Sequence, residues 1–303
     1  FTNGEVYLST PYQYMIEDGL KIKLYDIEYF FQWGTPEDYK EFIYNINEVK
    51  NIKSESKIDI SNINLCIPAA GESSRFKKEN YEKSKIYLDV NGSSIIKTLI
   101  YSFKNAQTIK ILIQQKDYEK KEFSNLENVE IIQIPEKTKG QAESAFKLIK
   151  SIENSNPVLV HSSDCILDKE TIIGNVDFDI IVFTKKDYRR GYLNYLSYGW
   201  VNSSNDKIQS FSIKEKPHSI NSNIIIGTFL FKDKFIYEKL YKTTIKNNTD
   251  QKEIHIDHLI ETGLKQNMNI IEIPSESSVM LGVPQEYKLF KYMKHVYEYL
   301  TDR

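Results

Sequence analysis

The chain has no run of about 18 apolar residues, the length a membrane-spanning helix needs, so no such span is expected. It has almost no net charge: 40 lysines and arginines face 42 aspartates and glutamates, a formal −2. That balance excludes a global field drawing it to nucleic acid or to an acidic membrane. It has two cysteines, Cys66 and Cys165, each at an apolar, strand-like run. Two are too few for a disulfide framework, and they read as buried free thiols of a reducing cytoplasm. No secretory signal pattern opens the chain. It starts on Phe1 rather than methionine, which reads as a fragment, a processed chain or part of a longer polypeptide.

What is present suffices for one large domain, or for one domain plus a piece of another: 303 residues, 40% of them hydrophobic. Two segments share a pattern. "GLKIKLYDIEYFFQWGTPEDYKEF" and "GLKQNMNIIEIPSESSVMLGVPQEYKLF" open at Gly19 and Gly263. Each continues with an alternating, strand-like stretch ("IKLYDI", "MNIIEI"). Each then gives Gly-x-Pro, acidic or amide residues, Tyr-Lys and a phenylalanine at matching offsets, Gly34 to Phe42 and Gly282 to Phe290. Upstream stand Glu5 and Glu253, each leading into a helix-like segment. The second copy closes a domain that begins near Asn62. Residues 1–50 are therefore expected to be the tail of a preceding, similar domain, and 51–61, polar and aperiodic, a linker. The main domain is expected over 62–303.

From Asn62 onward strands and helices alternate, which argues for an α/β domain with a largely parallel sheet. "INLCIPAA", "IKILIQQ", "VEIIQIP", "PVLVHSSD" and "FDIIVFT" read as strands. "SSIIKTLIYSFKNA" and "GQAESAFKLIKSI" read as helices. "LNYLSYGWVN", "IQSFSIKEKP" and "NIIIGTFLF" suggest an antiparallel or mixed half. Helices over 234–243 and 284–300 complete the pattern.

Ligands of open α/β sheets bind beyond the carboxyl ends of the strands, and three loops there carry unusual residues. "AAGESSRF" has small residues that admit a phosphate to the backbone, then Arg75, a fork of donors for phosphate oxygens. Lys85 follows as a possible point charge on phosphate. "KTKGQAESAF" places Gly140 at a helix start, where an anion or a polar base edge is favoured. "LVHSSDC" puts Asp164 at a strand's exit, a position suited to a divalent cation. Taken alone, these residues also read as surface cations, a helix-start glycine and a turn aspartate.

Together these loops resemble the sugar-nucleotide nucleotidyltransferase family, the nucleoside-diphosphate-sugar pyrophosphorylases. The match runs from about Asn62 to Tyr292 in family order: strand into an A-G-x-G-S/T-R loop, a lysine before the next element, a glycine-led helix, a strand ending in aspartate, E-K-P, and a late G-x-P turn. "WGTPED", Trp33 to Asp38, is a family-like closing turn. The resemblance implies a three-layer, Rossmann-like (GT-A-like) domain with a mixed central sheet. It implies transfer of a nucleotide from CTP, UTP or dTTP to a phosphorylated small molecule, as in the synthesis of surface polysaccharide precursors. It assigns Arg75 and Lys85 to catalysis. Ala70, Gly71, Ser73, Ser74, Gly140 and Gln141 are assigned to the nucleotide, Asp164 to Mg2+, and Glu215, Lys216 and Gly227 to the acceptor. An upstream homologous domain or a homo-oligomer is a further implied partner.

The chain departs from the family pattern in several places. Ser73 stands for glycine. Ser84 and Ile86 stand for the prolines around Lys85. Val283 replaces threonine in the Gly-x-Pro turn. Met280, and Gln32 in the N-terminal copy, stand where some members carry a second metal-binding aspartate. Ser73 is expected to be harmless at negative φ and damaging if the backbone needs φ > 0. A non-catalytic nucleotidyltransferase-like domain is one alternative reading. A GT-A glycosyltransferase is another, although its Asp-x-Asp motif is not at Asp164, and Asp177 and Asp179 precede a strand. Glu253, His255, Asp257 and His258 do not have the spacing of a dedicated zinc site.

Overall fold

The computed structural model describes residues 7–27, 30–124, 126, 128–174, 176–186, 195–219, 221–248 and 253–301. Glu5, read as standing upstream of the N-terminal repeat, lies outside them, as do the residues between Lys186 and Tyr195. The chain runs through α1 (Thr10–Glu17), α2 (Pro36–Lys53), β1 (Asn64–Pro68), α3 (Ser74–Lys78), β2 (Asp89–Val90), β3 (Ser93–Ser94) and α4 (Ile95–Ser102). β4 (Thr108–Gln114), α5 (Lys120–Phe123), β5 (Val129–Ile134), α6 (Gln141–Ile149), β6 (Val158–His161), β7 (Cys165–Ile166) and β8 (Ile180–Lys185) follow. The last part comprises β9 (Gly199–Ser204), β10 (Lys207–Ile213), β11 (Asn223–Phe231), α7 (Lys234–Asn247), α8 (Ile256–Lys265), β12 (Ile270–Pro274), β13 (Val279–Met280) and α9 (Pro284–Thr301).

Nine strands form one sheet in the order β5-β4-β1-β6-β11-β8-β12-β10-β9. β5, β4, β1 and β6 are parallel. β11 runs antiparallel to both β6 and β8, and β12 is parallel to β8, so the sheet is mixed, as its sequence suggests. The inner strands β1 and β6 are buried throughout because both faces of the sheet are covered there. Cys66, Leu112, Val158 and Val160 pack on one face under α6, α7 and α8. Leu65, Ile67, Ile111 and Leu159 pack on the other under α4. These are the three layers. β11 breaks register between Ile225 and Phe229. Beyond the break its first residues, Asn223 and Ile224, pair with β9.

α2 departs from the expected domain division. Thr35 caps it through its side chain on the Asp38 amide, Asp38 answers on the Thr35 amide, and Pro36 fixes the first turn. It runs to Lys53, inside the segment expected to be a linker. Its Phe42, Ile46, Val49 and Ile52 are buried with Tyr287, Phe290 and Met293 of α9, each worth about 1.5–3 kcal/mol over exposure. Glu48 of α2 pairs with Lys185 of β8 at 2.9 Å in the interior. Ile58 and Ile60 are also buried. The chain from Pro36 onward is therefore packed on the 62–301 body, because apolar spacing within 36–60 outweighs its polar average. A second departure is "IKLYDI": residues 22–27 form no strand, and among the described residues no strand pairs with them.

Among the described residues, no helix is long and apolar enough to cross a membrane. Cys66 and Cys165 are free and buried.

Candidate functional site

A cleft of about 820 Å3 opens at the carboxyl ends of β1 and β6. The loop after β1 forms one wall. Gln114, at the end of β4, donates its side-chain amide to the Ala70 carbonyl at 2.7 Å, and Ala69 donates its N–H to the Leu112 carbonyl at 2.8 Å. Ala70, Gly71, Ser73, Ser74 and Arg75 line the cleft from this loop. Arg75 is exposed.

Ser73 sits at φ 52°, ψ 31°, the left-handed region. The condition under which the Gly-to-Ser departure is costly is thus the one realised, since only glycine takes this conformation without strain. The hydroxyl offsets part of the cost. It accepts the Lys85 backbone N–H at 3.1 Å and lies 3.2 Å from the Ser84 hydroxyl. Two departures, Ser73 and Ser84, therefore hold each other and set the position of Lys85.

Lys85 opens a 3-10 turn, and its ammonium pairs with Asp164. Asp164 also accepts the Ser162 hydroxyl. Burial pushes its carboxyl up, but the Lys85 ammonium beside it, with the Ser162 bond, more than offsets this and holds it below the usual range. The strand feeding this loop is pinned by His161. Its Nε2 donates to the Cys165 carbonyl at 2.9 Å, leaving Nδ1 to accept the Thr228 hydroxyl at 2.7 Å. Burial keeps the ring neutral, its pKa lowered to about 4.

Two glycines are required by close approach. Gly140, at φ 138°, abuts the other side of the cleft: a Cβ there would stand 2.7 Å from the Ile254 carbonyl. Ala142 N–H donates to that same carbonyl at 3.2 Å, joining α6 to the segment before α8. Gly227, at φ 76°, would place a Cβ 2.9 Å from Ser162, and its carbonyl accepts the Ser162 N–H at 2.9 Å. Gly227 lies in the register break of β11 and borders the Asp164 loop.

The structure thus brings together, around one cleft, Ala70, Gly71, Ser73, Ser74, Arg75, Lys85, Gly140, Gln141, Asp164 and Gly227. It does not bring Glu215 and Lys216 there. Both are exposed, on the turn after β10, and the lysine that lines the cleft is Lys214, whose ammonium lies 2.6 Å from His255 Nε2. The shift of two residues follows from the positive φ of Lys214, 54°, which turns the chain at the strand's end. Lys137 and Lys139 also line the cleft; their spacing about Thr138 in "KTKG" was the available signal. Glu286 was not foreseen either. It accepts the Gly282 and Val283 amides at 2.9 and 3.1 Å and the Tyr198 hydroxyl at 2.5 Å. Its signal was the third position of a helix opened by proline.

His255 precedes α8, and its N–H donates to His258 Nδ1 at 3.1 Å. The "EIHIDH" residues are therefore a helix start, not a strand face. Burial, with Lys214 nearby, lowers the His255 pKa to about 4, and burial raises that of Asp257 to about 6. No group of three or more His, Cys, Asp or Glu among the described residues could hold a metal ion. Asp164 is one cleft carboxylate that could hold a hard dication bringing most of its oxygen ligands on a phosphate substrate. Met280, paired with Cys165 across β13 and β7, adds an apolar wall there and no ligand. Asp177 and Asp179 are remote from the cleft, at the start of β8, where Asp179 accepts the Asn269 amide at 2.9 Å.

Residues 63–177, well under half the chain, match the model of the IspD family, 2-C-methyl-D-erythritol 4-phosphate cytidylyltransferase. No curated protein matches the chain significantly. Several solved structures do. The nucleoside-diphosphate-sugar pyrophosphorylase from Vibrio cholerae superposes with a TM-score of 0.62 at 19% identity, over 75% of this chain and 98% of that one. The inositol-1-phosphate CTP transferase from T. maritima gives 0.59 at 13% identity, over 77% and 96%. CTP:phosphocholine cytidylyltransferase from Streptococcus pneumoniae gives 0.55 at 16%, over 78% and 99%. The chain carries the nucleotidyltransferase fold, and the resemblance to sugar-nucleotide nucleotidyltransferases read from its motifs is upheld.

Proposed function

We propose that the cleft transfers a nucleotidyl group from a nucleoside triphosphate to a phosphorylated small molecule. An oxygen of the acceptor phosphate forms a bond to the α-phosphorus, and the bond to the β-phosphate bridging oxygen breaks, releasing pyrophosphate. The attacking oxygen is already anionic, so no general base is needed, and catalysis rests on positioning and charge neutralisation. The observation that carries this reading is the meeting of Lys85 and Asp164 at the cleft, between the Ala70–Arg75 loop and the Gly140 loop.

Each wall has a part in it. The 69–74 backbone and Gln141 would hold the nucleotide, Arg75 and Lys85 the phosphates, and Lys214 the acceptor's phosphate. Asp164 would hold Mg2+, which when bound supplies charge neutralisation on the phosphate oxygens. The phosphoesters named for the similar structures, inositol 1-phosphate and phosphocholine, set the range of acceptors, and CTP is the first nucleotide to try. Pyrophosphate release, measured with four nucleoside triphosphates against a panel of sugar phosphates and phospho-alcohols or phospho-amines, tests the reading. Turnover with one pair supports it. Nucleotide binding with no turnover on any pair would favour a binding-only domain, for which the apolar Met280 beside Asp164 is the motivating feature.

A further inference from the structure

Residues 7–27 and 30–35 contribute little to the 62–301 body beyond the stacking of Phe31 on Tyr292. α1 buries no residue, and most of the large apolar side chains described in the segment are exposed. Its repeat partner is the C-terminal unit, and there the corresponding residues are core. In helix α8, Ile256, Leu259 and Ile260 are fully buried, whereas Tyr12, Met15 and Ile16 of α1 are 52%, 37% and 63% exposed. In the strand, Ile270 is 3% exposed and Leu24 is 87% exposed. Before the closing helix, Leu281 is fully buried and Trp33 is 61% exposed. A monomeric surface does not keep so long an apolar stripe in water without a partner.

The C-terminal unit shows what covers such a stripe. β12 lies between β8 and β10, and α8 packs on the apolar face beneath them. The buried carboxylate of Glu272 accepts hydroxyl and amide donors from Thr184 at 2.5 Å, Asn223 at 2.7 Å and Ser203. Asp26 holds the corresponding place in "IKLYDI" and is exposed.

We infer that residues 7–35 are the closing helix and strand of a second unit of this same fold, carried N-terminal to them on the same polypeptide. Chain order decides the side. In the C-terminal copy this element is the last piece of its unit, so the body that it closes precedes it. A second copy of the present chain does not fit as occupant, because its own residues 256–281 fill the corresponding slot. The complementary surface is a sheet with a gap between two strands, an apolar face for α1, and hydroxyl or amide donors for Asp26. α2, which follows directly and packs on α9, would then join the two units through a pair of equivalent helices. Asp38 and Glu286, each third in its helix, fold back on their Gly-x-Pro turns in the same way. This inference does not depend on the catalytic reading.

Hydrogen exchange of the native polypeptide, read by mass spectrometry beside the 303-residue chain, tests it. Peptides over 8–27 should exchange at least about 100-fold more slowly in the native polypeptide, comparable to those over 256–281. Leu24→Asp in the native polypeptide should remove that protection and leave 256–281 unchanged. Equal exchange in the two forms would overturn the inference. So would an intact mass with no room for a further domain, or protection of 8–27 that arises in the 303-residue chain and grows with its concentration, which would mark a second copy as the occupant. Protection that survives Leu24→Asp would overturn the assigned register.

Discussion

Ser73 offers the sharpest test of how the nucleotide loop is built. The residue is buried and left-handed, at φ 52°, a conformation that costs a non-glycine residue about 1–2 kcal/mol. Its hydroxyl accepts the Lys85 N–H and meets Ser84, a net gain of about 1 kcal/mol that becomes a penalty of about 1–3 kcal/mol if the buried donor is left unmet. Ser73→Ala keeps the strain and loses the bonds, so it should destabilise by about 1–2 kcal/mol. Ser73→Gly loses the same bonds but relieves the strain, so it should fall within about 1 kcal/mol of the parent. Urea unfolding at constant m-value measures both. The prediction is the order: parent and Gly close together, Ala lower than either. Ala as stable as Gly would refute the left-handed backbone at this position, and Ala as stable as the parent would refute the hydroxyl bonds.

Other expectations follow from the same geometry. Glu48→Ala removes the carboxylate 2.9 Å from the buried Lys185 ammonium and should cost about 3–5 kcal/mol in thermal or urea unfolding; a near-neutral result would contradict the docking of α2 on β8 through this pair. Gly140→Ala drives a Cβ against the Ile254 carbonyl at a positive φ, and should cost about 1–3 kcal/mol while weakening nucleotide binding by calorimetry. Stability should also depend on pH in two opposed ways. His161 is lowered from 6.5 to about 4 by burial, so the unfolded chain binds the extra proton and stability falls as pH drops through that window. Asp257 is raised from 3.8 to about 6 by burial, so the folded chain binds the extra proton and stability falls as pH rises from near 4 to near 6. Asp257→Asn removes the opposing slope and should steepen the acid-side loss in unfolding curves taken between pH 4 and 6.5; an unchanged slope would contradict the raised carboxyl.

Much of this was legible because the signals are local. Apolar runs of strand length and the helical spacing of Ala142, Ala145, Leu148 and Ile149 specify layers without reference to anything distant. The cleft was legible for a similar reason: its glycines and charges sit at strand ends, where the fold class already puts ligands. What was not legible depends on neighbours far along the chain. The strand pattern of 22–27 cannot be expressed without a partner strand. The 51–61 segment reads as a linker on composition, yet Ile52, Ile58 and Ile60 are buried against distant elements. The motif points to Lys216 and the structure to Lys214, because the turn that selects between them depends on one positive φ. The sign of φ at Ser73 could be posed as a question from the sequence, but only the backbone answers it.

Lys85 and Asp164 meet at the cleft, and the proposed nucleotidyl transfer depends on the Lys85 charge there. Pyrophosphate release by Lys85→Ala, compared with the parent on whichever nucleotide and acceptor pair the parent turns over, tests it most directly, with circular dichroism checking that the fold is retained. At least about a 100-fold loss of kcat with the fold intact is expected, in line with removal of a charge that stabilises the transition state. Undiminished turnover in the folded variant would contradict it.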